Sequence, residues 1–370
     1  MTDNGASPSS SPSSSSPPSR ALLVLVVDVS PVVWNERDLK RAASDKNRLA
    51  AGKRSVGPAT LPELLQSIET FCGAFLSLDR KCAMLVVGVA GNESALLFPR
   101  KDVLEQYFAD SNGANSGSVE TKPLPQQLLM GVTELVQRPG ASQDDTASMA
   151  AGLSKALCLV NRYLVSANSM VGVSALKTDT SHLYRQDDEG LLSIMGGSSE
   201  SSRHRHSTAS TPGAWSPRIL LIQASADRSR DYNAFMNCAF CAIKLNVVLD
   251  GCFIVSGMSK DPKNSAFLEQ ACDRSGGIYL SPSGAAQVGP ALTEVLMSVF
   301  LAPPSVRSAL HLPAIQKVDF RARCFDTFET ADIAYVCNQC LSIFQNKPKG
   351  CCPTCGAPIR TPGTNKNGSA

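Results

Sequence analysis

Two cysteine pairs carry the sharpest chemistry in this 370-residue chain: Cys337-Asn338-Gln339-Cys340 and, after an interval of eleven residues, Cys352-Pro353-Thr354-Cys355-Gly356. Two Cys-x-x-Cys pairs on tight turns deliver four thiolates in tetrahedral array, the closed coordination of structural zinc. With no open position, such a centre stabilises a fold and does not activate water. The interval is shorter than a common ribbon spacing, and Cys351 leaves the third ligand ambiguous by one residue, with Pro353 and Gly356 favouring Cys352. The competing reading is a set of free thiols. Because an apo module of this size has almost no core, metal binding and local folding would be a single event.

The remaining candidates are weaker. Asp28-Val29-Ser30 closes an apolar run, and a carboxylate and a hydroxyl so placed begin the Asp-x-Ser-x-Ser pattern of the metal-dependent adhesion site in von Willebrand A domains. The third ligand position holds Val32, Thr146 is available as the later threonine, and Asp227 comes late after the run Arg218–Ala224. Hard divalent cations need several oxygens held together. Asp28 is therefore read as a cap on nearby backbone amides, and no tight cation binding is expected there. Cys238 and Cys241 form a further Cys-x-x-Cys pair inside an amphipathic stretch and read as core thiols; a redox pair would open a helix instead. His182, His204, His206 and His311 converge on nothing. No phosphate-binding loop, dinucleotide fingerprint or nucleophile elbow occurs, so the sequence shows no catalytic equipment.

Composition bounds what can position these groups. Hydrophobic content of 43% with 18% charged residues is globular, and the length allows two folded units or one enlarged unit. A net charge of +3 is too mild to mark a nucleic-acid binder. Thirteen cysteines, odd in number and scattered apart from the cluster, suit buried thiols plus a metal site in a reducing compartment. The opening MTDNGASPSSSPSSSSPPSR lacks the apolar run of a secretory signal, and ALLVLVVDV is too short to span a bilayer, so the chain reads as soluble and intracellular, with no membrane partner.

Along the chain, residues 1–20 are a Ser/Pro-rich disordered tail, and Ala21–Val29 is a strand buried on both faces. The charge-rich stretch from Asn35 to Gly57 reads as a solvated loop. Helical spacing of Leu61, Leu64, Leu65, Ile68, Phe71, Phe75 and Leu78 is followed by strands at Cys82–Ala90 and Ala95–Phe98, the latter an edge, and by a helix at Leu124–Val136. A further helix starts at the acidic Asp144-Asp145-Thr146 and runs through Leu164. Residues 166–217 form a low-complexity insertion within one domain. Alternation then resumes with strands at Arg218–Ala224, Val247–Val255 and Ile278–Leu280 and helices at Tyr232–Leu245, Asn264–Ser275 and Gly284–Leu301, the first of these helices turning Phe235, Met236, Ala239, Phe240 and Ile243 inward. The expected fold is α/β: a doubly wound, mostly parallel sheet over 21–304, a connector at 305–332, a four-cysteine zinc module at 333–360 and a disordered tail at 361–370. Ligands or partners are favoured at the carboxyl edges of its strands.

Specific text lies in the carboxyl half. Leu268-Glu269-Gln270-Ala271-Cys272-Asp273 with Gly276-Gly277-Ile278-Tyr279-Leu280, then Val318-Asp319-Phe320-Arg321-Ala322 and Tyr335-Val336 leading into the cysteine pairs, resemble the smaller von Willebrand A-type subunits of the general transcription and DNA-repair factor TFIIH. The resemblance covers about residues 21–360. It implies a non-enzymatic nuclear scaffold in the TFIIH core, serving RNA polymerase II initiation and nucleotide-excision repair. The implied partners are the larger von Willebrand A-type subunit, whose carboxyl-terminal zinc module would dock on the sheet domain, and the other core subunits. The short end RTPGTNKNGSA, where relatives often carry a longer basic tail, leaves direct nucleic-acid binding unsupported. Two other classes compete. A zinc-bearing ubiquitin ligase needs a second, interleaved ligand set, and only Cys324 and Cys351 remain nearby. A cation-dependent ligand-binding protein needs the intact oxygen cluster.

Overall fold

The computed structural model describes residues 20–51, 58–79, 82–111, 122–142, 144, 146–170, 215–255, 264–282, 284–312, 322–327 and 330–359. The 1–19 part of the amino-terminal tail, most of the 166–217 insertion and the tail at 361–370 lie outside these residues.

Strand β1 (Arg20–Asp28) is the Val/Leu-rich run, and its two faces separate the core. Leu23, Leu25 and Val27 point to one layer, Leu22, Val24 and Val26 to the other, the period-two alternation of a strand covered on both sides. The chain continues through α1 (Pro31–Ala51), α2 (Leu61–Leu78), β2 (Ala83–Ala90), β3 (Glu93–Phe98), α3 (Lys101–Ser111), α4 (Leu124–Val136) and α5 (Met149–Met170). It then enters β4 (Trp215–Gln223), α6 (Tyr232–Lys244), β5 (Val248–Phe253), α7 (Ala266–Ser275), β6 (Tyr279–Leu280) and α8 (Pro290–Val295). The six strands take the order β3-β2-β1-β4-β5-β6, parallel except for β3. This is the doubly wound architecture expected, with an antiparallel edge. Helices α2, α4 and α8 cover one face through Leu64, Ile68, Phe71, Leu128, Val132 and Leu292. Helices α5, α6 and α7 cover the other through Leu153, Val160, Phe235, Ala239 and Leu268. At Gly152 a side chain would collide with Val89 and Val26, so the missing side chain sets how closely α5 lies on the sheet.

Several expectations are corrected. The charged stretch after β1 is not a loop through residue 51: it is α1, a helix whose polar surface carries the i,i+4 pairs Glu36–Lys40 and Arg41–Asp45. Its inner side buries Trp34 and Arg37, so an arginine holds a position that charge composition assigns to solvent. Helix α3, with Leu104 and Phe108 buried four residues apart, has no counterpart in the sequence reading. Helix α5 begins at Met149 rather than at Asp144, which stands in the loop before it, and runs through Met170; with β4 starting at Trp215, both ends of the 166–217 span are regular structure. The single helix expected at Gly284–Leu301 is broken into a 3₁₀ turn, α8 and a π turn at Leu296–Phe300, with Gly289 at φ 54° before Pro290. Cys238 and Cys241 do lie within α6, but off its buried face of Phe235, Met236, Ala239 and Ala242; Cys238 is half-buried, and Cys241 and Phe240 are exposed. Among the described residues no helix is long and apolar enough to cross a membrane.

Candidate functional site

Downstream of the sheet, β7 (Ala322–Arg323) pairs with β8 (Thr330–Ala331), and β9 (Tyr335–Val336) pairs antiparallel with β10 (Ile343–Phe344). The two cysteine pairs fold into matching knuckles. In the first, Leu341 N donates to Cys337 O at 2.8 Å and Cys337 N to Ser342 O at 2.9 Å; in the second, Gly356 N donates to Cys352 O and Cys352 N to Ala357 O, both at 2.8 Å. The residue after the second cysteine is left-handed in both, Leu341 at φ 60° and Gly356 at φ 72°. Glycine adopts this freely, whereas at Leu341 it costs about 1–2 kcal/mol, which the closing hydrogen bonds and the sulfur cluster offset.

These turns aim four sulfurs at one point. Cys337 Sγ lies 3.8 Å from Cys355 Sγ and Cys340 Sγ 3.7 Å from Cys352 Sγ, with all four atoms within 4.8 Å of one another. Tetrahedral bonds of about 2.3 Å to zinc place ligand sulfurs about 3.8 Å apart, so the donor set and its spacing fit that ion. Cys351 stands apart: it is exposed and bridges to Pro358, whereas Cys352 is 1% exposed and carries the knuckle hydrogen bonds. Cys324 is buried near the module but does not join the four.

The sulfurs do not ionise alike. Burial opposes ionisation of Cys340, but the Ser342 hydroxyl and amide with the neighbouring thiols outweigh it and bring Cys340 down to about 6. The Ala357 amide favours a thiolate at Cys355, yet desolvation and hydrogen bonding with Cys340, Cys352 and Cys337 push it up to about 12. Four thiolates so close would repel one another, and a divalent metal at their centre would supply the compensating charge.

At the carboxyl edge of the sheet the carboxylate weighed as a cation ligand is already engaged. Asp28 is fully buried; its Oδ1 accepts Ser30 N at 3.0 Å, and its Oδ2 accepts Ala224 N at 3.1 Å and Ser225 N at 2.7 Å. It caps amides, as the sequence indicated. Asp227 turns toward α7, where its carboxylate accepts Gln223 Nε2 at 3.0 Å, Phe267 N at 3.2 Å and the Ser265 hydroxyl. Thr146 presents its carbonyl to the guanidinium of Arg228. Two buried arginines complete the edge, neither marked by any local sequence signal. Arg37 donates to the carbonyls of Ala224 and Ile254 at 2.8 and 2.6 Å, and Arg228 donates to Gly91 O, Asn92 Oδ1 and Asp144 Oδ2 at 3.1, 2.8 and 3.0 Å.

A family model described as transcription factor Tfb4 matches residues 20–356, which include the sheet domain and all four converging cysteines. The chain belongs to the Tfb4 family. Curated relatives agree across most of the Tfb4-type chain. It is 26% identical to an Arabidopsis thaliana protein named general transcription and DNA repair factor IIH subunit TFB4, over 91% of this chain and 88% of that one. It is 27% identical to the general transcription factor IIH subunit 3 of Dictyostelium discoideum, over 80% and 67% of the two chains, and 40% identical to a Yarrowia lipolytica TFB4 subunit over 37% and 40%. Among solved structures, the TFIIH p34 amino-terminal domain aligns with 75% of this chain and 96% of its own at 16% identity and a TM-score of 0.47.

In this Tfb4 family chain the described residues give the cysteine module a seat on the sheet domain. The 3₁₀ turn Ser229–Asp231 and the start of α6 provide it: Ser229 Oγ donates to Phe325 O at 2.9 Å, Asn233 Nδ2 to Cys340 O at 3.2 Å, and the Tyr232 and Phe325 rings meet edge to face at 5.5 Å.

Proposed function

We propose that the chain is a non-catalytic scaffold subunit of the TFIIH core, acting in the nucleus in RNA polymerase II initiation and nucleotide-excision repair by docking other subunits. The observation that carries this is the match to the Tfb4 family from residue 20 to residue 356, together with relatives named as subunits of general transcription and DNA repair factor IIH. The chemistry of the carboxyl edge agrees with it: the polar groups there bind backbone and one another, which favours a rigid surface over a reaction centre.

On this reading residues 21–304 form the docking domain, 305–332 connect, and 333–360 form a module around one structural zinc on Cys337, Cys340, Cys352 and Cys355. The metal would supply the charge that four thiolates need and hold together a unit whose buried apolar core, among the described residues, is Cys337, Phe344 and Cys352. The module leaves the apolar side chains of Ile333 and Leu341 87% and 64% exposed. The partner for the sheet domain is the carboxyl-terminal zinc module of the larger von Willebrand A-type subunit, in a constitutive interface of roughly 1,200–2,000 Å². Co-expression of the full chain with that region tests the docking mode. Stable co-purification is expected, and two folded proteins that elute separately would contradict it.

A further inference from the structure

Arg228 sits in a shell of oxygens that has the make-up of a divalent-cation site. Its side chain is 5% exposed, and it faces two carboxylates, an amide oxygen and two backbone carbonyls. Nη1 reaches Gly91 O at 3.1 Å and Thr146 O at 3.4 Å, Nη2 reaches Asn92 Oδ1 at 2.8 Å and Asp144 Oδ2 at 3.0 Å, and Nε lies 3.4 Å from Asp231 Oδ2. Hard cations gather this class of donor. Here a planar guanidinium supplies the positive charge and, through its fork of N–H groups, addresses several oxygens in fixed directions. Arg230, more exposed, adds a second contact to Asp144 at 2.6 Å, and the Ser148 hydroxyl donates to Asp231 at 2.7 Å.

The oxygens come from three loops that are remote in sequence: the β2–β3 turn at 91–92, the segment before α5 at 144–146, and the turn after β4 at 228–231. Among the described residues no backbone–backbone hydrogen bond joins the third of these to the other two, and besides Arg228 and Arg230 the links are side-chain bonds, Ala147 N to the Ser225 hydroxyl at 3.1 Å and the Ser148 hydroxyl to Asp231. The residues that follow Arg228 are the seat of the cysteine module, through Ser229, Tyr232 and Asn233. Phe325, gripped by Ser229 and Tyr232, is in turn tied to β10 by its amide bond to Ile343 O at 2.8 Å.

We propose that Arg228 is a positioning residue, a tethered cation that locks the three loops of the carboxyl edge together and so seats the chain's own cysteine module on that edge in cis. The module then occupies the part of the rim next to the 229–233 turn, and subunits that dock on the sheet domain use other surfaces. This goes beyond the scaffold reading and does not depend on which complex the chain joins.

Hydrogen–deuterium exchange on the full zinc-loaded chain tests it. Arg228→Lys keeps the charge but loses the fork, and exchange of 91–92, 144–148 and 323–345 is expected to rise by roughly an order of magnitude under native conditions. Arg218→Gln, a buried arginine at the opposite end of β4, serves as the control: it lowers the melting temperature without raising exchange in 323–345. The milder Asp144→Asn, which removes charge from one Arg228 partner, is expected to loosen the same peptides by a smaller factor and guards against a misfolded lysine variant. Unchanged exchange in 323–345 while 144–148 loosens, or an equal rise in the Arg218→Gln control, would overturn the proposal.

Discussion

The Asp28 carboxylate accepts the Ser225 amide at 2.7 Å and so joins the end of β1 to the loop after β4 across 197 residues of sequence. With the Ala224 and Ser30 amides on the same carboxylate, the group is an internal cap with its acceptor capacity directed at backbone.

Asp28→Ala leaves these buried N–H groups without their acceptor. A loss of about 2–4 kcal/mol is expected, since each unsatisfied buried donor costs about 1–3 kcal/mol. Urea unfolding measures it. Magnesium is expected to leave the unfolding midpoint of the parent chain unchanged, and a magnesium-dependent rise would contradict the cap assignment.

Asp250 holds the far side of the sheet. It is fully buried, accepts Ile278 N at 2.9 Å and Arg307 Nη1 at 2.8 Å, and lies 3.9 Å from Arg218, whose guanidinium is brought down to about 10 chiefly by burial. Asp250→Asn removes the counter-charge shared by two buried guanidinium groups and is expected to cost about 3–5 kcal/mol. Adding Arg307→Gln should recover part of that loss, which a double-mutant cycle in urea would show as a coupling energy. Additive losses would contradict the pairing.

Burial chiefly raises the Asp227 carboxyl above its ordinary value, against the hydrogen bonds from Ser265, Gln223 and Phe267 that favour the charged form. A raised folded-state pKa means that the native protein holds the proton longer than the unfolded chain. Stability contributed by the protonated form is full below the unfolded value of about 4 and is lost as pH rises through the folded one. The unfolding free energy of Asp227→Asn, relative to the parent, should therefore increase from pH 4 toward neutrality. A flat difference across that range would contradict the shift.

Loss of any one of Cys337, Cys340, Cys352 or Cys355 to serine is expected to release the metal and unfold the module while the sheet domain persists. Cys351→Ser should retain one zinc per chain. Elemental analysis with far-ultraviolet circular dichroism checks both, and a Cys352→Ser protein that keeps its zinc while Cys351→Ser loses it would reverse the choice made by the knuckle geometry.

The sheet was legible because its strands announce themselves locally. The run from Ala21 to Asp28 is apolar on both faces, as only a strand covered by two helix layers needs to be. The cysteine pairs were legible because each knuckle is made within a few residues of sequence. Helix α1 was not: its charged residues read as solvated, and nothing in the sequence shows that Arg37 will find carbonyls at Ala224 and Ile254, just past the ends of β4 and β5. Arg228 was illegible for the same reason, since its oxygens come from positions 91, 92, 144 and 146, brought near only by the completed fold. Asp144 shows the converse error, where an acidic residue ahead of α5 resembled a helix start yet serves as a partner for Arg228 and Arg230.

The most direct test of the scaffold reading is to purify the tagged full-length chain from its own cells at native abundance, in buffer without chelator and at high salt, and to quantify what accompanies it by mass spectrometry. The larger von Willebrand A-type subunit and the other TFIIH core subunits are expected in near-equal amounts with the tagged chain. Recovery of a folded, zinc-loaded chain alone, or in stoichiometric company with a different assembly, would contradict it.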